Sequence, residues 1–519
     1  MFRSPFPDEV IPDVSVYDFL FAGLSAEDAD RIALVDGPSG AETTYGQLVG
    51  QINGIAGALA ARGAGVGTVI GMLCPNIPIF ASVFHGILRA GATATTINSL
   101  YTPEEIASQL RDSGAEFLFT VSPLLPQALE AAAAVGIDAE HLVVIDGAEG
   151  HPSVKDLLMQ QAPAPEVSFG PATHLAVLPY SSGTTGLAKG VKLSHTNLVA
   201  NVVQCKPVLD VERDDRVLAL LPFFHIYGMT VLLNIALKKR ARLVTMPKFD
   251  LPEFLRIIQE HGCTYLFIAP PIAVALAKHP LIDQYDLSSV RAILSGAAPF
   301  DTALANAVAS RLKTRVRQGY GMTEMSPVSH VIPPDRDDIP LGSIGVPVAN
   351  IECRIVDVET GEDAATDAPG ELLVRGPNIM LGYLGRDDAT HDTLDADGFL
   401  HTGDIARVDA DGVFWIVDRL KELIKYKGYQ VAPAELEALL LTHPLIADAA
   451  VVGAPDADGQ EVPKAFVVRV ADADLDEDGV MAFVAEHVAP HKKVRQVAFI
   501  DVVPKSSSGK ILRKDLRGQ

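Results

Sequence analysis

The sequence predicts an α/β protein: a large amino-terminal domain of βαβ units with parallel sheets, a small antiparallel subdomain within it, and an α+β carboxy-terminal domain. Three observations predict this. Short apolar strands alternate with capped helices of about 10–13 residues through most of the chain. From about residue 350 the texture shifts to strands punctuated by Gly and Asp. After Arg419 a compact helix–strand–strand–helix–strand pattern fills roughly 100 residues, an ordinary size for a small domain. The predicted domains are therefore 1–418, with a β-rich subdomain over about 350–418, and 419–519.

The elements follow in order. Thr102 reads as an N-cap, with Pro103 at the first helical position and Glu104 and Glu105 in the first turn. This helix stops near Gly114, and the strand EFLFTV comes next. DLPEFLRIIQEHG is a helix capped by Asp250, followed by the strand CTYLFIAP. TALANAVASRL is a helix, and RVRQGYG leads into a strand and loop. LEAAAAVG is an alanine-rich helix end, and no repeat of fixed period occurs. ECRIVDVETGE, GELLVRG and GVFWIVDR are the subdomain strands. AELEALLLTH and GVMAFVAEHV are the last domain's helices; ADAAVVGAP, PKAFVVRV and QVAFIDVVP are its strands.

At 519 residues the chain allows three or four units of about 150 residues. Hydrophobic residues make up 48% and charged residues 21%, which fits a globular protein and excludes a disordered one. A net charge of −23 argues against nucleic-acid binding, which depends on Lys and Arg neutralising phosphates. It leaves room for small anions, which need only a local positive site. The four cysteines, Cys74, Cys205, Cys263 and Cys353, form no C-x-x-C pair and suit buried thiols in a reducing cytosol. The amino terminus has no apolar segment typical of a signal peptide. The apolar stretch from Val69 to Ile97 is broken by Pro75, Pro78, His85 and Arg89, so no membrane span is expected. Arg517-Gly518-Gln519 matches no targeting signal. A cytoplasmic monomer or homodimer, without integral membrane association, is the expectation.

The strongest chemical signal is YSSGTTGLAKGVKLSH, Tyr180 to His195, between the strand LAVLP and a helix starting near Ser194. Ser181, Ser182, Thr184 and Thr185 supply hydroxyls. Gly183, Gly186 and Gly190 let a ligand approach the backbone, and Lys189 adds a cation. Together these suit a polyphosphate, although no Walker A register fits. Two other patterns carry no chemistry. DLDEDG at Asp474–Gly479 opens like a calcium loop but has Ala485 at position twelve, and reads better as an acidic first helical turn. His487 and His491 are separated by Pro490 and have no third ligand. No G-x-S-x-G elbow occurs.

This string resembles the phosphate loop of the adenylate-forming superfamily of acyl-CoA synthetases, luciferases and peptide-synthetase adenylation domains. PFFHIYG (Pro222–Gly228), SGAAP (Ser295–Pro299), QGYGMTE (Gln318–Glu324), HTGD (His401–Asp404), DRLKELIKYKGYQVAPAELE (Asp418–Glu437) and PKSSSGKILRKDL (Pro504–Leu516) follow in the family's order. The resemblance spans nearly the whole chain and is strongest to 4-coumarate–CoA ligases. One departure is Ala188, where the family has Pro; it is expected to loosen the loop without abolishing binding.

The resemblance implies ATP, Mg²⁺ and CoA as cofactor and co-substrates. Ser181 to Lys189 would hold the β- and γ-phosphates. Gln318, Gly319, Tyr320, Gly321, Met322 and Thr323 would bind the nucleotide, with Tyr320 on adenine and Thr323 on the α-phosphate. Glu324 would take the metal. Asp404 and Arg419 would bind ribose, with Ile416 beside them. Lys510 would bridge the carboxylate and α-phosphate during adenylation. The small domain would then turn about Lys421 to present Lys425, with Lys427, Gly428 and Tyr429 on CoA and Gln430 on AMP. His225 would orient the acid, whose pocket would comprise Ile226, Tyr227, Val231, Leu294, Ala297, Gly319, Met325, Pro327 and Val328. These residues suit an aromatic or cinnamate-type acid. Medium- or long-chain fatty acids are the alternative, and an adenylation enzyme serving a carrier protein is another. Oxygenase chemistry has no signal, and a nucleotide sensor would need neither Lys425 nor Lys510.

Overall fold

The computed structural model describes residues 1–181, 188–298, 300, 302–426, 429–456, 461–471, 473–488, 490–506 and 510–517, with Lys425, Tyr429, Gln430 and His491 described in backbone only. The predicted α/β class is what the chain adopts. Among the described residues two large sheets carry the amino-terminal part. The nine-stranded sheet runs Val346–Pro347, Val328–Val331, Arg315–Gly321, Ala292–Ser295, Tyr265–Ile268, Arg216–Ala219, Arg242–Thr245, Ile32–Asp36 and Glu42–Thr44. Its six central strands, from Arg315–Gly321 to Ile32–Asp36, are parallel, and the outer strands are antiparallel. The six-stranded sheet is parallel except at Leu193–Ser194. Helices Tyr45–Ala61, Pro78–Arg89 and His195–Gln204 bury their apolar sides in a core shared by both sheets. A second core lies under Leu251–His261, Pro270–Lys278 and Thr302–Leu312 on the opposite face of the larger sheet.

The helix boundaries follow the capping chemistry. Thr102 and Glu105 form a reciprocal capping box before Pro103–Ser113, which ends at Gly114 with φ 66°. The Asp250 side chain accepts from the Glu253 N–H, and the Asp476 side chain accepts from the Gly479 N–H at the acidic start of Glu477–His487. Ser194 caps His195–Gln204.

The β-rich part is a five-stranded antiparallel sheet, ordered Phe2–Arg3, Glu352–Val356, Gly370–Arg375, Leu400–Val408 and Phe414–Arg419. Its first strand comes from the amino terminus, which the sequence did not suggest; two residues are too short to show a period. Beyond Arg419 lie a two-stranded hairpin, Ile424–Tyr426 with Tyr429–Val431, and a three-stranded sheet. In the latter, Ile446–Pro455 and Glu461–Arg469 are antiparallel, while Gln496–Phe499 adds in parallel. This sheet and helices Pro433–Leu441 and Glu477–His487 enclose a separate core. Asp418, at the end of the five-stranded sheet, accepts the Ala434 N–H at 2.9 Å and so caps the first of these helices.

Candidate active site

The parallel strands Ala292–Ser295 and Arg315–Gly321 point their carboxyl ends to one side of the large sheet, where ligands of open α/β sheets bind. Arg315–Gly321 carries Tyr320, whose phenol donates to Asp404 Oδ2 at 2.6 Å, 84 residues away in sequence. The antiparallel register sets Asp404 opposite Arg419, and Arg419 Nε lies 3.3 Å from Asp404 Oδ1. Burial and the Asp404 charge push the Tyr320 phenol well above its ordinary range, so it stays a donor. Ile416 lies half-buried on the Arg419 strand.

Lys510 joins this cluster from the carboxy-terminal segment. Burial, with the Arg419 charge, lowers its ammonium to about 8; Asp404, Glu324 and Glu422 pull the other way. Its backbone is fixed by a tight turn in which the Lys510 N–H donates to Ser506 Oγ at 3.1 Å and the Ser506 N–H to the Lys510 carbonyl at 2.8 Å. His225 feels the same charge: burial first, then Lys510, lowers its imidazole to about 4. His225 is therefore neutral at physiological pH.

At the loop expected to hold the phosphates, Ser181 pairs with Lys189 and Tyr180 with Gly190, forming an antiparallel stem. Ser182, Gly183, Thr184, Thr185 and Gly186 lie outside the described residues. The stem is anchored by the Tyr180 phenol, which donates to Asp112 Oδ2 at 2.7 Å. Lys189 Nζ sits 4.7 Å from the Tyr383 ring centroid, and the Tyr383 phenol donates to Glu324 Oε1 at 2.9 Å. Glu324 is buried in the short turn Thr323–Met325, where its carbonyl accepts the Met380 N–H. Its second carboxylate oxygen takes no hydrogen bond from a described residue, which leaves it open to a cation.

The residues expected to line the acid pocket gather around a π-helix, Tyr227–Asn234, that begins two residues after His225. Such helices are rare and often sit at functional sites. Only glycine fits at 228, where a Cβ would lie 2.1 Å from the Pro222 carbonyl oxygen. Tyr227 is buried edge-on to Phe267, and its phenol reaches the Leu294 carbonyl at only 3.5 Å. Ile226, Val231, Leu294, Met325 and Val328 are buried; Ala297 is exposed, with φ 73°. The turn from Met325 to Val328, which includes Pro327, is held by Asn378, whose amide donates to the Met325 carbonyl at 2.6 Å, and by Asn201, which donates to the Val328 carbonyl at 2.8 Å. Gly319 and Met322 lie half-buried beside this turn, and Gly321 is exposed.

Several placements qualify the sequence reading. The Gln318 amide donates to the Leu341 carbonyl at 2.7 Å, so it braces a neighbouring loop. Lys427 and Gly428 lie outside the described residues, and Lys425, Tyr429 and Gln430 are placed only by their backbone in the hairpin. Lys421 is exposed in the turn after Phe414–Arg419. Sequence reasoning missed Asp112, Asn378 and Tyr383. The last two belong to GPNIMLGYLG, whose only local signal is glycine punctuation around an apolar run.

A family model described as AMP-binding enzyme matches residues 23–384, and one described as AMP-binding enzyme C-terminal domain matches 435–510. The chain belongs to the AMP-binding enzyme family. It is 42% identical to 4-coumarate–CoA ligase 5 of Oryza sativa subsp. japonica, over 100% of this chain and 97% of that one. Among solved structures, ATP-bound MatB from Rhodopseudomonas palustris aligns with a TM-score of 0.89 at 28% identity, over 98% of this chain and 99% of MatB. Apo MatB, over the same shares, aligns with 0.79, so the fold here lies nearer the ATP-bound form. The anthranilate CoA ligase AuaEII, complexed with anthranoyl-AMP, gives 0.90 at 28% identity over 98% and 97% of the two chains. This AMP-binding enzyme is accordingly an ATP-dependent, AMP-forming acid–thiol ligase with ATP and CoA as substrates. Among the described residues no helix is long and apolar enough to cross a membrane.

Proposed function

We propose that the acid is a hydroxycinnamate or related aromatic acid. The observation that carries this is the buried Tyr227 phenol, which has only a 3.5 Å approach to the Leu294 carbonyl among otherwise apolar walls. A buried phenol normally finds a full partner, and a ring hydroxyl on the substrate would supply one. Val231, Met325 and Val328 offer flat apolar contact, consistent with the relatives' substrates.

In the first step a carboxylate oxygen attacks the α-phosphorus of ATP and pyrophosphate leaves. In the second, the CoA sulfur attacks the acyl carbon, the thiol proton is lost, and AMP leaves. The protein's part is positioning and charge neutralisation. Lys510 bridges the carboxylate and α-phosphate, Thr323 holds the α-phosphate, Tyr320 stacks on adenine, and Asp404 and Arg419 hold the ribose. Gly319, Gly321 and Met322 flank the nucleotide, Ile416 packs beside it, and the phosphate loop with Lys189 grips the β- and γ-phosphates. The neutral His225 orients the acid. Glu324 suits Mg²⁺, a hard ion bound by one or two carboxylates plus substrate phosphates. When bound, Mg²⁺ would neutralise charge on the phosphates.

The boundary is taken at 418/419, with Lys421 as the hinge that brings Lys425 to the site for thioester formation, Lys427, Gly428 and Tyr429 to CoA, and Gln430 to AMP. A cytoplasmic setting suits the four buried free thiols. A panel of acids assayed for CoA-dependent AMP release tests the substrate. Cinnamate-type acids should lead, with medium-chain fatty acids behind; activity confined to long-chain acids would defeat the reading.

A further inference from the structure

Lys189 and Glu324 carry opposite charges and flank the same side chain, yet they form no ion pair with one another. Left to themselves, a flexible ammonium and a neighbouring carboxylate would close on each other. Such a pair would occupy both the phosphate-loop cation and the open carboxylate oxygen. Tyr383 stands between them. Its ring face takes the Lys189 ammonium at 4.7 Å, a cation–π contact, and its hydroxyl holds one oxygen of Glu324 at 2.9 Å.

The tyrosine is placed by the backbone. Tyr383 bridges to Val191, and the Lys192 N–H donates to the Gly382 carbonyl at 2.9 Å. The Leu384 N–H donates to the Gly190 carbonyl at 2.8 Å. The same strap is pinned to Glu324 through the Met380 N–H, at 2.9 Å. One short segment thus links the outgoing strand of the phosphate loop to the turn carrying Glu324.

We propose that Tyr383 is a positioning residue with two separable roles: its ring keeps Lys189 apart from Glu324, and its hydroxyl aims the free Glu324 oxygen at the cation. The ring serves the ATP phosphates and the hydroxyl serves Mg²⁺.

The inference rests on the proposed role of Glu324, and the experiment separates the two. Pyrophosphate exchange is titrated with Mg²⁺ and with ATP, and the thermal shift produced by ATP is measured with Mg²⁺ and with chelator. Tyr383→Phe keeps the ring; it should raise the half-saturating Mg²⁺ roughly 10-fold, the effect of one lost hydrogen bond to a charged group. It should leave the ATP KM at saturating Mg²⁺ within about 2-fold and shrink only the Mg²⁺-dependent part of the thermal shift. Tyr383→Leu should raise both constants. In the Glu324→Gln background, Tyr383→Phe should add nothing. Wild-type Mg²⁺ dependence in Glu324→Gln would defeat the assignment of Glu324, and this inference with it. A shifted Glu324→Gln beside an unshifted Tyr383→Phe would overturn this inference alone. A lower melting temperature in both tyrosine variants, with neither constant moved, would make Tyr383 a structural tether and likewise overturn it.

Discussion

The Tyr320 phenol donates to the Asp404 carboxylate at 2.6 Å, while the Arg419 guanidinium approaches the other oxygen at 3.3 Å. The aromatic proposed to stack on the base thus also aims, through its hydroxyl, the carboxylate proposed for the ribose. Tyr320→Phe should keep the stacking face but free Asp404 to rotate. The ATP KM should rise roughly 10-fold with kcat within a few-fold, because a hydrogen bond to a charged group is worth about 1.5–3 kcal/mol. Steady-state exchange kinetics read this directly. An unchanged KM would show that Arg419 alone sets Asp404.

Lys510→Ala should slow adenylation by about 10²–10³ and spare thioester formation from supplied acyl-adenylate. The same residue sets a pH limb. Its ammonium titrates at about 8 in the free enzyme. The charged form proposed to serve adenylation therefore predominates below that pH and is lost as pH rises through it. The kcat/KM for adenylation should fall towards tenfold per pH unit above about 8, and Lys510→Arg, always charged, should flatten the limb. A limb that survives Lys510→Arg would belong to another group.

Lys421→Pro tests the hinge. Proline fixes φ near about −65° and removes a backbone N–H. The variant should keep pyrophosphate exchange and lose thioester formation from supplied adenylate, with its stability lowered by no more than about 1 kcal/mol. Both half-reactions retained, or both lost together with the melt, would mean a static linker.

Acid should destabilise the fold through its buried histidines. Burial lowers His85 to about 4, and His195 and His330 to about 3. The unfolded chain binds protons at these sites near pH 6.5, whereas the folded chain does not until pH 3–4. Stability is thus present above about 6.5 and lost as pH falls towards 4, each site contributing up to about 1.4 kcal/mol per pH unit. Melting curves in matched buffers across this window should show it. A flat response would mean that these imidazoles reach solvent in the native state.

What was legible in the sequence was what local chemistry decides. Thr102 and Asp250 announced their helices because a cap is written within four residues of the turn it satisfies. The site motifs were legible because hydroxyls, glycines and cations cluster in short strings. Relations that depend on closure of the fold were not. Tyr320 and Asp404 are 84 residues apart, and nothing around either residue names the other. Phe2–Arg3 becomes a strand only because Glu352–Val356 offers an edge. Tyr383 and Asn378 look like ordinary residues in an apolar run until the strap is laid against Glu324 and the turn at Met325.

The contact between Asp418 and the Ala434 N–H has a mechanical meaning. If the small domain turns about Lys421 as proposed, helix Pro433–Leu441 would leave the strand that caps it; Asp418 would keep the Arg419 N–H, but the helix N-terminus would lose its partner. Under that proposal Asp418 would work as a detent, seating the small domain in its first orientation and releasing it before the second. A cap of this kind is worth about 0.5–2 kcal/mol, enough to bias which orientation the resting enzyme would occupy and small enough to be released in each proposed rotation.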